Sequence, residues 1–147
     1  MKQTVKYIKT TLENDAVDAL LQMSDNEFVP SLSHSIDLKQ YAKKLSENAQ
    51  FVLAINKGEM AGFVAYYLND EGQFIYVPLI WVSSRYQRQG IGEQLIGQLS
   101  SLSLIGYTSI LLEVLKTNKG ALKFYQNEGF EKEEDRGEKL LLKKKLL

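Results

Sequence analysis

Hydrophobic and polar positions change rhythm along the chain, and each change marks an element. Val5, Tyr7 and Lys9 alternate against Lys6 and Ile8, which predicts an opening strand. The period then lengthens in ENDAVDALLQM, where Val17, Leu20 and Leu21 recur at helical spacing. NEFVPSLSHSI, with Pro30 and a run of serines, keeps neither rhythm and predicts an irregular loop. Asp37, followed three residues later by Gln40, makes a capping-box-like start for a second helix. Its Leu38, Tyr41, Ala42 and Leu45 share one face.

From Phe51 the pattern is that of strands. FVLAI, MAGFVAYYL and QFIYVPLIWV are divided by NKGE and NDEG, the sign of an antiparallel meander. Residues 74–82 are apolar at odd and even positions alike, which predicts a central strand covered on both faces. Pro78 inside it has no N–H to lend, so a bulge, an edge or a local break is expected there. A long helix opens near Gly90 with Ile91, Leu95, Leu99 and Leu102 as its buried stripe. TSILLEVL is a strand, NKGALKFYQNEG a helix stopped by Gly129, and FEKEE with EKLLLKKKL a hairpin about DRG. The KLLLKKKLL tail either pairs across an interface or ends the sheet.

This order predicts a mixed α/β (α+β) architecture. About four helices flank a mostly antiparallel sheet of about seven strands, and the strands on either side of the long helix run parallel. No repeat or linker divides residues 1–147, so a single domain is expected.

Composition narrows the function classes. The 18 basic residues balance 18 acidic ones, which removes the overall electrostatic argument for a nucleic-acid partner. The chain has no cysteine, so disulfides, thiolate metal sites and a cysteine nucleophile are excluded, and no metal is expected. MKQTVKYIKTT lacks the apolar core of a signal peptide, and no apolar run reaches the roughly 20 residues of a membrane helix. A cytoplasmic location without membrane contact is the expectation.

The candidate chemistry begins in VSSRYQRQGIGEQL, where Gly-x-Gly stands at a predicted helix start. Exposed amides at such a start bind anions, phosphates above all. A Walker loop would continue with Lys-Ser/Thr, but Glu93 follows the second glycine. A dinucleotide fingerprint would place a third glycine where Leu95 stands. What remains is a cradle for another phosphate, or glycines that merely permit a tight turn.

QRQGIG fits the pattern Gln/Arg-x-x-Gly-x-Gly/Ala. Downstream, NKGALKFYQNEGF fits Asn-x-x-Ala-x-x-Phe-Tyr-x-x-x-Gly-Phe at Asn118, Ala121, Phe124, Tyr125, Gly129 and Phe130. The two motifs, in this order and spacing, resemble the Gcn5-related N-acetyltransferase (GNAT) superfamily over about residues 77–130. The resemblance implies an acyl-CoA N-acyltransferase fold with a splayed parallel strand pair, and acetyl-CoA as co-substrate. It places the pyrophosphate on Gln87, Arg88, Gln89, Gly90, Ile91 and Gly92, with Arg85 or Arg88 either adding charge or staying solvated. The pantetheine arm would pair with the backbone of Trp81 and Val82, and the Val82 N–H would polarise the thioester carbonyl. Asn118 and Ala121 would meet the arm, Asn118 also serving as a helix cap. Tyr125 would give the leaving thiolate a proton or a hydrogen bond. Two departures stand out: Ser84 where proline is usual, and Gln87-Arg88 where an Arg/Gly pair is usual.

An alkyl amine near pKa 10 is nucleophilic in only about one part in a thousand at neutral pH, so a base is needed. Glu113, an acid inside the apolar LLEVL, is the candidate; its alternative is a solvent-facing or edge glutamate. His34, the only histidine, lies in the serine loop, where a substrate lid or plain exposure are both open. Phe28, Tyr41 and the loop hydroxyls suit a small polar amine such as an amino sugar. A protein N-terminus or lysine as acceptor, or a non-catalytic CoA-binding module, are the alternatives. Monomer and homodimer both remain open.

Overall fold

The computed structural model describes residues 4–28 and 30–146. The strands are β1 (Lys6–Thr10), β2 (Gln50–Asn56), β3 (Glu59–Asn69), β4 (Phe74–Val82), β5 (Ser109–Leu115), β6 (Glu131–Arg136) and β7 (Lys139–Lys145). The helices are α1 (Asn14–Ser24) and α2 (Leu38–Asn48), both before β2, then α3 (Ile91–Ser100) and α4 (Lys119–Asn127) on either side of β5. The sheet order is β1-β2-β3-β4-β5-β7-β6, with β4 and β5 as its parallel pair. The predicted element order and the mixed, mostly antiparallel sheet are those of the structure.

The chain forms two compact units. The first takes residues up to Ala65 together with Leu79–Leu95. Its core joins Val17 and Leu21 of α1, Ala42 and Leu45 of α2, and Phe51 and Phe63, all buried. The Phe63 ring sits 6.4 Å from Phe51 and 5.7 Å from Trp81. Asp37 caps α2 as the sequence predicts, accepting from Lys39 N at 3.0 Å and Gln40 N at 3.2 Å. The serine loop is tied rather than loose. The Asp25 carboxylate accepts from Ser33 N at 2.9 Å and Ser33 Oγ at 2.6 Å, and these bonds hold its pKa below the ordinary aspartate value.

The second unit takes Tyr66–Pro78 and the chain from Ile96 onward. Ile75, Ile110, Leu112, Leu142, Tyr125 and Phe130 are buried in it. The ladder between β4 and β5 covers Phe74, Ile75 and Tyr76 against Ser109, Ile110 and Leu111. Pro78 follows two residues later, where no N–H is available.

Two expectations are corrected. The helix α3 ends at Ser100, so Leu102 lies half-buried in the 3₁₀ turn Ser101–Ile105, closed by Gly106 at φ 106°. Ser100 and Ser101 turn their hydroxyls back onto Ile96 O and Gln98 O, at 3.1 and 2.7 Å. That local bonding competes with helix continuation. The C-terminal strand does not end the sheet: β7 is inserted between β5 and β6. The edge is β6, whose six residues are all exposed and charged, which disfavours pairing with another chain.

Candidate active site

In the first unit, backbone geometry arranges the candidate residues. At Gly62 on β3 an added Cβ would stand 2.6 Å from Trp81 O and 3.3 Å from Val82 Cα, so only glycine lets β3 lie this close to the end of β4. Sequence reasoning passed over Gly62, although a lone glycine inside a strand pattern is the signal for such an approach. Ser83 N donates to Ala61 O at 2.8 Å, and Ser83 Oγ accepts from Arg85 N at 3.3 Å, which starts the 3₁₀ turn Ser84–Tyr86. Two side chains then pin the loop. Gln87 Nε2 donates to Val82 O at 2.8 Å, and the buried Tyr86 hydroxyl accepts from Asn56 Nδ2 at 3.2 Å.

The loop then turns left-handed twice, at Arg88 (φ 62°) and Gly90 (φ 78°), on either side of Gln89. Alternation of this kind turns successive amides inward to form an anion nest. The first amide to donate into α3 is Gln94 N, to Gly90 O at 3.0 Å. The amides of Ile91, Gly92 and Glu93 precede that ladder, and Gly90 has no side chain to cap them. A Cβ on Gly90 would meet nothing within 4 Å, so the approach to these amides is open. Arg85 is paired with Glu59 at 2.5 Å, whereas Arg88 is exposed and has no ion-pair partner among the described residues. Trp81 is buried, with its indole N–H lacking a partner among the described residues.

The serine in place of proline has a structural reason. Ser84 N donates to Glu27 Oε1 at 2.8 Å, a bond that a proline could not make. Glu27 thereby ties the segment after α1 to the loop after β4, a link that no local pattern reveals. Phe28 is half-buried beside it in sequence, and His34 is exposed.

In the second unit, side chains hold the candidate residues. Asn118 caps α4, its Oδ1 accepting from Ala121 N at 3.1 Å. The other end of α4 closes through Gly129 at φ 94°, with Gly129 N donating to Gln126 O at 3.1 Å and Phe130 N to Tyr125 O at 2.9 Å. This double bond pattern is a Schellman motif, and its apolar contact is Tyr125 against Phe130, rings 5.4 Å apart and edge-on. Gly129 and Phe130 therefore fix Tyr125. Burial pushes the Tyr125 phenol up to about 12.

Glu113 stands on β5 with its side chain 29% exposed, and Oε2 accepts from Arg136 Nη1 at 3.2 Å. Tyr76 stands on the same face; burial, then the Glu113 charge, raises its phenol above the ordinary range. A basin of about 240 Å³ lined by Thr108, Ser109, Lys143 and Lys145 contains none of the predicted site residues. Among the described residues, no group of three or more His, Asp or Glu gathers to hold a metal ion, and no helix is long and apolar enough to cross a membrane.

A strand that runs through a glycine turn into a helix with bare leading amides suits a phosphate-bearing ligand. The acetyltransferase (GNAT) family profile matches residues 15–130, and the chain belongs to that family. No curated protein matches it in sequence. Solved structures share the fold at low identity. The PaiA N-acetyltransferase of Thermoplasma acidophilum, in complex with coenzyme A, aligns with TM-score 0.76 at 14% identity, over 95% of this chain and 99% of its own. The ribosomal-protein-S18-alanine N-acetyltransferase of Escherichia coli aligns with TM-score 0.75 at 21% identity, over 96% and 94%. A GNAT acetyltransferase of Staphylococcus aureus Mu50 aligns with TM-score 0.75 at 18% identity, over 98% and 100%.

Proposed function

We propose that this acetyltransferase acts on the primary amine of a small polar molecule, an amino sugar for example, as a cytoplasmic monomer or homodimer. The observation that carries the coenzyme A side is the uncapped start of α3 below the open space at Gly90. The residues present fit the co-substrate: amides of residues 88–92 for its pyrophosphate, the exposed Arg88 for added charge, and the Val82 N–H and Asn118 for its arm. Acetyl-CoA supplies an acetyl group already activated as a thioester. The chain supplies orientation, a fixed amide dipole and proton handling.

Tyr125 has the narrower role of the two expected. A phenol at about 12 keeps its proton against a thiolate whose conjugate acid lies near 8.5, so it stabilises that sulfur as a hydrogen-bond donor. Glu113 takes the ammonium proton as the amine attacks. On the acceptor side, the segment between α1 and α2 brings the Asp25 and Glu27 carboxylates, three serines and His34 together in sequence. Such a segment attracts an ammonium and offers hydroxyls for a sugar.

The test is release of CoA thiol from acetyl-CoA with amino sugars, polyamines, amino acids and peptides as acceptors, run beside Tyr125→Phe. Turnover of amino sugars that is slowed in the variant supports the reading. Turnover of peptides alone moves the acceptor to a protein N-terminus or lysine. Binding of acetyl-CoA without turnover of any acceptor favours a regulatory module.

A further inference from the structure

We propose that Arg136 is a positioning residue for Glu113, delivered to it by an extra residue in the edge strand; the inference rests on Glu113 as the base. Glu113 lies opposite Leu141 of β7, and Leu141 lies opposite Glu134 of β6, so these three share one face of the sheet. Tyr76, opposite Leu111 in β4, is on the same face. The register of β6 against β7 shifts between Lys132, opposite Leu142, and Glu134, opposite Leu141, leaving Glu133 as a bulged residue.

That one residue changes which side chain Glu113 meets. Because strand side chains alternate faces, an unbulged β6 would set Asp135 opposite Lys139 and turn Arg136 away. Glu113 would then face an acid. With the bulge, Arg136 stands opposite Lys139 and binds Glu113 through Nη1, while Nη2 binds Glu134 at 3.2 Å. Asp135 goes to the other face, where both its oxygens accept from Lys116 at 2.7 and 2.9 Å. A guanidinium held by Glu134 thus holds the Glu113 carboxylate, with the Tyr76 phenol of β4 on the same face. A flexible glutamate on a strand gains from this partner the single orientation that proton transfer needs. The paired strands also bring Lys139, Lys143 and Lys145 of β7 and Glu131 of β6 to this side, with Tyr67 of β3 near Tyr76.

The experiment measures thiol-release kinetics with glucosamine, spermidine and an alanine-terminated peptide, in the full chain and in Arg136→Ala, Arg136→Lys, Asp135→Asn and Glu113→Gln, beside the denaturation midpoint of each. Arg136→Ala should lower kcat about tenfold with KM for acetyl-CoA kept, and Arg136→Lys should restore most of the rate. Asp135→Asn, which breaks the ion pair on the opposite face of the same hairpin, should leave kcat in place. An unchanged kcat in Arg136→Ala, or an equal fall in Asp135→Asn, overturns the part given to Arg136 while a slow Glu113→Gln keeps the base reading. A Glu113→Gln variant that retains its rate sinks the base reading instead, and the pair is then structural only.

Discussion

The helices α3 and α4 begin in opposite ways. α4 starts under a side chain, with Asn118 Oδ1 bonded to Ala121 N, so part of its amide end is satisfied within the chain. α3 starts under Gly90, which offers its own carbonyl to Gln94 and nothing to the three amides between. A capping side chain is worth only about a few tenths of a kcal/mol over glycine at this position, and α3 forgoes it. What it keeps is about half a positive charge at an accessible end, which is of use only to an arriving anion. The difference separates two kinds of helix start: one left bare by its backbone, and one belonging to a helix held at both ends, by a side chain at its start and a glycine turn at its close.

The largest expected effect tests the backbone side. Gly62→Val should cost 3 kcal/mol or more, since its Cβ would press on the Trp81 carbonyl, which is backbone and cannot swing away. Chemical denaturation should show a lowered midpoint, and coenzyme A binding should weaken with it. A fully stable Gly62→Val would mean that β3 and β4 do not hold the loop through this contact.

Next comes Tyr125→Phe on the side-chain side. Loss of the hydroxyl should lower kcat about a hundredfold with KM for acetyl-CoA little changed. The loss should be equal from pH 6 to 9, where a phenol at about 12 stays protonated. The same residue predicts a stability effect with a definite sign. Its folded pKa lies above the unfolded value of 10, so between those values the unfolded chain has lost a proton that the folded chain keeps. Stability therefore falls as pH rises from 10, by roughly 2 kcal/mol at pH 12 from this group, and Tyr125→Phe should remove that part of the alkaline loss. A kcat deficit that shrinks at high pH would show that Tyr125 titrates during turnover.

How much of this was legible in the sequence follows from the range of each interaction. Periodicity is local, so Val17, Leu20, Leu21, Ala42 and Leu45 were readable as buried faces, and Asp37 as a cap. Leu102 fits the helical stripe but falls outside α3, because two serine hydroxyls turn back on the ladder just before it. The place of β7 between β5 and β6 is set by pairing, which no single strand records. Glu27 bonds a residue 57 positions away, and the bulge at Glu133 shows only against its partner strand. The motif residues stood out because the turn and the capped helix are each built from residues close together in the chain.

A smaller effect reverses the kinetic split. Gly90→Ala places a Cβ in open space, so its folding cost comes from the left-handed backbone alone, about 1–2 kcal/mol. The added methyl stands where the pyrophosphate is expected, so the coenzyme A dissociation constant should rise about tenfold while kcat at saturation is kept. Isothermal titration measures the first and steady-state kinetics the second. Equal affinity in Gly90→Ala would remove the reason for the bare helix start.

The smallest effect decides whether the contrast between the two helix starts is complete. Asn118→Ala should destabilise the protein by about 1 kcal/mol through loss of the α4 cap. Asn118→Asp should restore that stability, because a carboxylate caps as well as an amide and favours the positive helix end. The cap uses Oδ1 only. The Nδ2 donors take no part in it, so the same residue is able to cap α4 and contact the cofactor arm with different atoms. If it does both, turnover at low acetyl-CoA should fall in Asn118→Ala and also in the stable Asn118→Asp, which has no N–H to offer. Recovery of turnover together with stability would assign Asn118 to the helix alone, and the side-chain site would then rest on Tyr125.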